Sequence, residues 1–236
     1  MVKYNGTNEK VKLRITCPDQ SCYTYLISDR GAYDTFPLTA GNGSYALQVL
    51  ENVAGDTYTV SLAQSINVSI EDEFLPFLYP NQYVNFHTDS KAVSKGSDLA
   101  KDTYSDLDVV QNIYNYVIKN ISYDTEKAQN VSYGYVPDVD DTLSSKKGIC
   151  FDYAALMTSM LRSQNIPTKL EVGYSGDAYH AWISTYIDDK GWVDDIIQFN
   201  GNTWQIMDPT LAATNDSAAV KKYVGDGSHY VVKYTY

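Results

Sequence analysis

Between Lys10 and Phe86 apolar and polar residues alternate. Val11, Leu13 and Ile15 are interleaved with Lys12, Arg14 and Thr16. The alternation resumes with Tyr45, Leu47 and Val49 after Gly41-Asn42-Gly43, and with Tyr58, Val60 and Leu62 after Gly55-Asp56. A period of two places one face of each strand on a core. Short strands punctuated by glycine turns predict a small antiparallel β-sandwich, an accessory domain over residues 1–88.

Near His87 the period changes. Ser97 to Lys101 is polar, and from Ser105 the apolar residues Val110, Ile113, Tyr114, Val117 and Ile121 recur at helical spacing. Ser105 is a plausible N-cap, with Asp106 and Asp108 in the first turn. A second helix is predicted from Cys150 to Gln164, with Tyr153, Leu156 or Met157, and Met160 in one stripe, stopped by Asn165-Ile166-Pro167. Strands follow. Leu170, Val172 and Tyr174 share one face, while Ala181, Ile183 and Ile187 point opposite to His180. A further strand from Thr203 ends at Asp208, where Pro209 breaks the ladder. Helix, loop, helix and then strands predict an α+β domain over residues 89–236, with no internal repeat.

Composition narrows the function. The 236 residues carry 18 basic and 29 acidic side chains, a net charge of −11, and no basic run that could follow a phosphate backbone, so nucleic acid is not an expected partner. No apolar run approaches the roughly 18 residues of a membrane-spanning helix, and Met1 to Gly6 lacks the apolar core of a signal peptide. Cys17 and Cys22 flank Pro-Asp-Gln-Ser, a turn-rich spacer. Either they pair in a disulfide, which suits an oxidising compartment, or they are two reduced thiols on neighbouring strands.

The third cysteine carries the chemistry. Cys150 sits at the start of a predicted helix, where the dipole and the first N–H groups favour thiolate over thiol and can stabilise an oxyanion. Most free cysteines are small buried hydrophobes, so position alone does not make it a nucleophile. A nucleophile needs a base, and the chain has three histidines, His87, His180 and His229. His180 lies in the same domain as Cys150, on a strand whose other face is apolar, whereas His87 and His229 read as solvated. Asp208 is placed to orient His180. Asp152 opposes the thiolate, and its plainer role is that of a first-turn acid stabilising the helix. Asp188, Asp189, Asp194 and Asp195 read as a solvated cluster. No zinc-ligand spacing, EF-hand loop or phosphate loop is present, so neither metal nor cofactor is expected.

Taken together, Gly148-Ile-Cys150-x-Asp-Tyr-Ala154, Leu161-Arg-Ser-x-x-Ile-Pro167, Gly173-Tyr174, His180-Ala-Trp182, Gly191-Trp192 and Trp204-x-x-x-Asp208-Pro-Thr210 resemble the bacterial transglutaminase-like superfamily. Asn120-Ile-Ser-Tyr-Asp124 resembles the end of that family's upstream helix. The likeness runs from about Ser105 to Thr210. It implies a papain-like α+β core, a helix headed by the cysteine and packed on an antiparallel sheet, with Cys150 as nucleophile, His180 as general base and acid, and Asp208 as its orienting partner. An oxyanion donor from upstream of the cysteine is implied, for which Gln129, Tyr133 and Tyr135 are candidates. Trp182 and Trp204 are candidates for the cleft wall, although core packing accounts for them equally well.

The resemblance implies cysteine-dependent acyl transfer on amide bonds through a thioester, giving a protease or amidase with water and a transglutaminase with an amine. Hydrolysis of a protein or peptide, including a cell-wall peptide, is the expected direction. The rival is an inactive cell-surface binding or scaffold module that keeps the fold. An arylamine N-acetyltransferase-type enzyme shares the triad, but no phosphate-binding segment for coenzyme A is evident. The cysteine pair, the leading β module and the acidic, tyrosine-rich composition, with 22 Tyr, point to a bacterial extracellular or cell-surface location, with the signal peptide absent from this sequence.

Overall fold

The computed structural model describes residues 1–27, 31–188, 190–193, 198–199, 204–205 and 230–236. It divides into two units, Met1–Pro76 and Phe77–Tyr236, so the division falls ahead of the boundary expected after residue 88. The residues between belong with the second unit by their packing. Phe77 stands edge-on to Trp192 at 5.4 Å, and Tyr83 packs on Phe151 and Tyr236.

In the first unit β1 (Val2–Lys3) pairs with β4 (Tyr33–Asp34), and β2 (Val11–Thr16), β3 (Cys22–Leu26), β5 (Gly43–Ala54) and β6 (Thr57–Val68) form an antiparallel sheet in the order β3-β2-β5-β6. The alternation read from the sequence is the one β2 buries, but not β6, where Val60 and Leu62 are exposed. Val11, Leu13 and Ile15 lie inward, and Leu13 sits opposite Tyr25 on one side and Val49 on the other, all buried. Tyr25 meets Phe36 at 4.8 Å. Each such ring or branched chain removed from water contributes on the order of 1.5–3 kcal/mol.

Cys17 and Cys22 are free thiols here, a correction to the disulfide alternative. The strand geometry gives the reason. Cys17 continues the inward series Val11, Leu13, Ile15 and is buried, whereas Cys22 lies opposite Thr16, whose side chain points to the other face. Burial pushes the Cys17 thiol up from its ordinary value.

The second unit is α+β, as expected. It contains α1 (Lys91–Ala100), α2 (Asp106–Asn120), β7 (Ser122–Tyr123), α3 (Thr125–Asn130), α4 (Val139–Ser145), β8 (Lys147–Gly148) and α5 (Cys150–Ser163). The strands β9 (Thr168–Ser175), β10 (Ala178–Ile187), β11 (Gly191–Val193) and β14 (Tyr230–Thr235) form an antiparallel sheet in the order β11-β10-β9-β14, and β12 (Gln198–Phe199) pairs with β13 (Trp204–Gln205). Helix α5 lies across β9 and β10 and is packed by α1, α2 and α4. Every residue from Asp152 to Arg162 is buried, the mark of a central helix covered on all sides.

Local signals explain these elements. Ser105 caps α2 by accepting from the Asp108 N–H, and Val109, Val110, Ile113, Tyr114 and Val117 form the buried stripe. Helix α5 ends where Asn165 takes a left-handed conformation ahead of Pro167. At its C-terminal end the buried Arg162 guanidinium donates to the carbonyls of Thr168, Tyr79 and Tyr236 at 2.7 to 2.9 Å. Those three dipoles replace the water that a buried cation requires, and they tie α5 to the start of β9 and the end of β14. Helix α1, which the periodicity did not reveal, crosses α5 closely. A side chain at Gly96 would meet the Met160 carbonyl at 3.0 Å.

Candidate active site

The candidate nucleophile is placed by a short parallel contact. Strand β7 pairs with β8, with Tyr123 opposite Gly148, and the Asp124 N–H donates to the Gly148 carbonyl at 2.9 Å. The chain then turns at Ile149, which is extended, and Cys150 is the first residue of α5. It is half-buried, so the thiol is reachable. The first turn of any helix leaves its N–H groups without intrahelical acceptors, and the positive end of the dipole lies there.

Ile149 has no side-chain acceptor to cap this turn. Asp152 does so instead, reaching back to accept from the Ile149 N–H at 2.8 Å. Its carboxylate is wholly buried and takes two further donors. Lys127, on α3, approaches Oδ2 at 2.7 Å, and the Tyr135 hydroxyl donates to Oδ1. Lys127 Nζ also donates to the Tyr135 oxygen at 2.6 Å and stands over its ring. Burial, then the bond to Asp152, holds the Tyr135 hydroxyl far above its ordinary value, so it is a proton donor throughout. Gly148 makes this arrangement possible, because a Cβ there would fall 2.7 Å from that of Asp152. The helix-stabilising role expected of Asp152 is thus visible. Its two partners from the preceding segment had no sequence signal beyond Asp124, which accepts from the Lys127 N–H and starts α3.

The second wall comes from the sheet. His180 pairs with Gly173 across β10 and β9, with its Nε2 shielded from solvent. Its neighbour Tyr179 marks how near β10 comes to the cysteine. Burial and then Tyr234, Tyr174 and Cys150 push the Tyr179 hydroxyl up. Tyr83 lies between these rings and Phe151, and burial followed by Tyr133, Tyr179 and Tyr234 raises it to about 12. The thiol-bearing turn therefore faces a group of tyrosines at the head of the sheet, with His180 next to them in sequence.

This pattern of helix-start cysteine and following strand matches a known family. Residues 94–194 match the model of the transglutaminase-like superfamily. The chain carries a transglutaminase-like core. Two curated proteins are similar to that core. A UPF0252 protein of Methanocaldococcus jannaschii is 30% identical over 118 residues, covering 43% of this chain and 34% of its own. Kyphoscoliosis peptidase of Mus musculus is 30% identical over 107 residues, covering 40% of this chain and 16% of its own. The chain thus spans about a third and about a sixth of the length of these relatives. Among solved structures, the periplasmic domain of TgpA from Pseudomonas aeruginosa is 13% identical with a TM-score of 0.46, covering 93% of this chain and 92% of that one. Red sea bream transglutaminase is 14% identical with a TM-score of 0.33, covering 85% and 45%.

The transglutaminase-like core sorts the other expected site residues. Asp208 and His229 lie outside the described residues, as does the side chain of Trp204. Trp182 is fully buried, edge-on to Tyr230 at 4.9 Å, so it is a core ring and not an open cleft wall. The single proton of the Tyr135 hydroxyl is given to Asp152 and is not held toward a reacting carbonyl, which corrects the expectation for that residue. Gln129 and Tyr133 are exposed, and Tyr133 is near enough to Tyr83 to raise its hydroxyl. His87 is exposed, and its N–H donates to Ser90 Oγ, in keeping with a surface role. No helix among the described residues is long and apolar enough to cross a membrane.

Proposed function

We propose that this protein transfers acyl groups from amide bonds through a thioester on Cys150. The observation that supports the reading is the half-buried thiol at the N-terminus of α5, near enough to act on the Tyr179 hydroxyl, which His180 follows in the chain on β10. Cys150 Sγ attacks the amide carbonyl, the C–N bond breaks, and His180 delivers the proton to the departing amine. First-turn N–H groups of α5 receive the oxyanion. Water, deprotonated by His180, then attacks the thioester and releases the acid. Asp208 holds the imidazole in its working tautomer, and Gln129 or Tyr133 adds a further oxyanion donor. The substrate is a protein or peptide, and hydrolysis is preferred over transfer to an amine. An extracellular or cell-surface location suits such a substrate.

The test pairs a peptide-hydrolysis screen with incorporation of a fluorescent amine into casein. Both are run on the wild type and on Cys150→Ala and His180→Ala, with intact mass after brief exposure to an activated ester to trap the acyl-enzyme. Hydrolysis and a trapped adduct in the wild type, with both lost in Cys150→Ala, are the expected result. Activity that survives in Cys150→Ala would overturn the reading. Partner binding without turnover in either protein would assign the core to a scaffold role.

A further inference from the structure

Asp152 presents a difficulty for a nucleophilic Cys150. A buried carboxylate two residues from the sulfur, on the same helical turn, disfavours a second negative charge, and burial strengthens that repulsion. The structure surrounds this carboxylate with donors from three different places. The Ile149 N–H comes from the chain just ahead, the Tyr135 hydroxyl from the loop before α4, and the Lys127 ammonium from α3. Lys127 and Tyr135 are also bonded to each other, which closes a ring of three groups.

We propose that Lys127 is a positioning residue for the reaction, holding Asp152 and Tyr135 in a closed network that cancels the carboxylate charge beside Cys150 and fixes the first turn of α5. The proposal rests on the reading of Cys150 as nucleophile. Of the three partners, only Lys127 carries a compensating charge. Its side chain is 28% exposed, whereas that of Asp152 is fully enclosed, so solvent does little to replace the ammonium at the carboxylate. A hydroxyl and an amide N–H can cap the turn, but they leave a net negative charge at the nucleophile.

Other groups around the thiol do not supply that charge. From β10 Tyr179 is near enough to interact with the thiol, with Tyr174 of β9 and Tyr234 of β14 beside Tyr179. Tyr83 and Tyr133 add further neutral hydroxyls to that group. Asp138 and Asp141, at the start of α4, lie close enough to act on the Tyr135 hydroxyl and add negative charge to this side. Among these described groups Lys127 is the one permanent cation. The acidic flank makes it more necessary, not less.

The test is the pH profile of Cys150 alkylation by iodoacetamide, with the modified residue located by peptide mass. It is measured in the full chain for the wild type, Lys127→Met, Lys127→Arg, Tyr135→Phe and the double variant Lys127→Met with Asp152→Asn. Loss of the ammonium is expected to move the profile of Lys127→Met upward by about one pH unit, seen as a roughly tenfold slower reaction near pH 6. Lys127→Arg restores most of the wild-type rate, and Tyr135→Phe gives a smaller displacement of the same sign. The double variant returns to the wild-type profile or below it, because the charge that Lys127 balanced has gone with it. A structural role alone would not produce that recovery. If the profile of Lys127→Met lies on that of the wild type, or the double variant stays as displaced as the single, the proposal is wrong. If Lys127→Met fails to fold, Tyr135→Phe and Lys127→Arg decide it, since an unchanged Tyr135→Phe profile denies the network any hold on the thiol. Failure of the nucleophile reading looks different. It appears as a wild-type midpoint at the ordinary cysteine value of about 8.5, whatever the displacement between variants.

Discussion

Replacing Gly148 by alanine adds one methyl group at the tightest point of the site. The new Cβ would lie 2.7 Å from Asp152 Cβ, where ordinary contact begins at 3.4 Å, with Asp152 Oδ2 at 3.2 Å and Thr142 Cγ2 at 3.3 Å. Asp152 Cβ cannot swing away, because it is fixed to the first turn of α5 and its carboxylate is held by three donors. The clash must move the backbone of β8 or of α5. Overpacking of this kind costs about 1–3 kcal/mol, and the lost backbone freedom of the unfolded chain returns roughly 0.4–1 kcal/mol, leaving a net destabilisation of about 1 kcal/mol. For a unit the size of Phe77–Tyr236 this corresponds to a fall in Tm of about 2–4 °C. Calorimetry of the variant measures it directly. Alkylation of Cys150 should also slow, because the displaced turn carries the thiol. A variant that melts at or above the wild-type temperature, with an unchanged Cys150 rate, would refute the claim that close approach at Gly148 sets the geometry of the site.

Two further outcomes follow from other parts of the fold. Asp140 accepts from the Lys91 and Ala92 N–H groups at 3.0 and 2.9 Å, capping α1 from another helix, so Asp140→Ala should cost about 1–2 kcal/mol. Faster hydrogen exchange at the first turn of α1 would report it, and unchanged exchange there would contradict it. The Tyr153 and Tyr83 hydroxyls are raised to about 12, mainly by burial, from an ordinary value of 10. A raised acid keeps in the folded state a proton that the unfolded chain has given up. Their stabilisation is therefore complete below about pH 10 and is lost as the pH climbs to about 12. The urea midpoint should be level up to the first value and fall across the window. Tyr153→Phe should start about 1 kcal/mol lower, having lost its bond to the Ile121 carbonyl, and fall less steeply. A midpoint indifferent to pH across that window would count against this account.

Helix α2 was legible because all of its signals are local, with Ser105, Asp106 and Asp108 at its start and the stripe from Val110 to Val117 within four residues of one another. Helix α5 was legible for the same reason, as were the inward face of β2 and that of β9 at Leu170 and Val172, though Tyr174 is exposed. Helix α1 was not. Ser90 makes no side-chain cap, and the acid that replaces it stands far along the chain at Asp140. The packing of Phe77 and Tyr83 was not legible, because both read locally as more strand, whereas the rings they pack on, Trp192 and Phe151, stand far along the chain.

Local patterns in the chain were enough for the kinds of element, the buried face of β2 and the placing of Cys150 at a helix start and His180 on a strand, since these depend on side-chain periods and caps within one or two turns. What surrounds the thiol came instead from packing between distant segments. That Cys17 and Cys22 point to opposite faces, that the proton of Tyr135 goes to Asp152, and that Lys127 meets this carboxylate are products of chain crossings. A buried charge takes its partner from whichever segment the fold brings alongside, and no local pattern encodes which one that is.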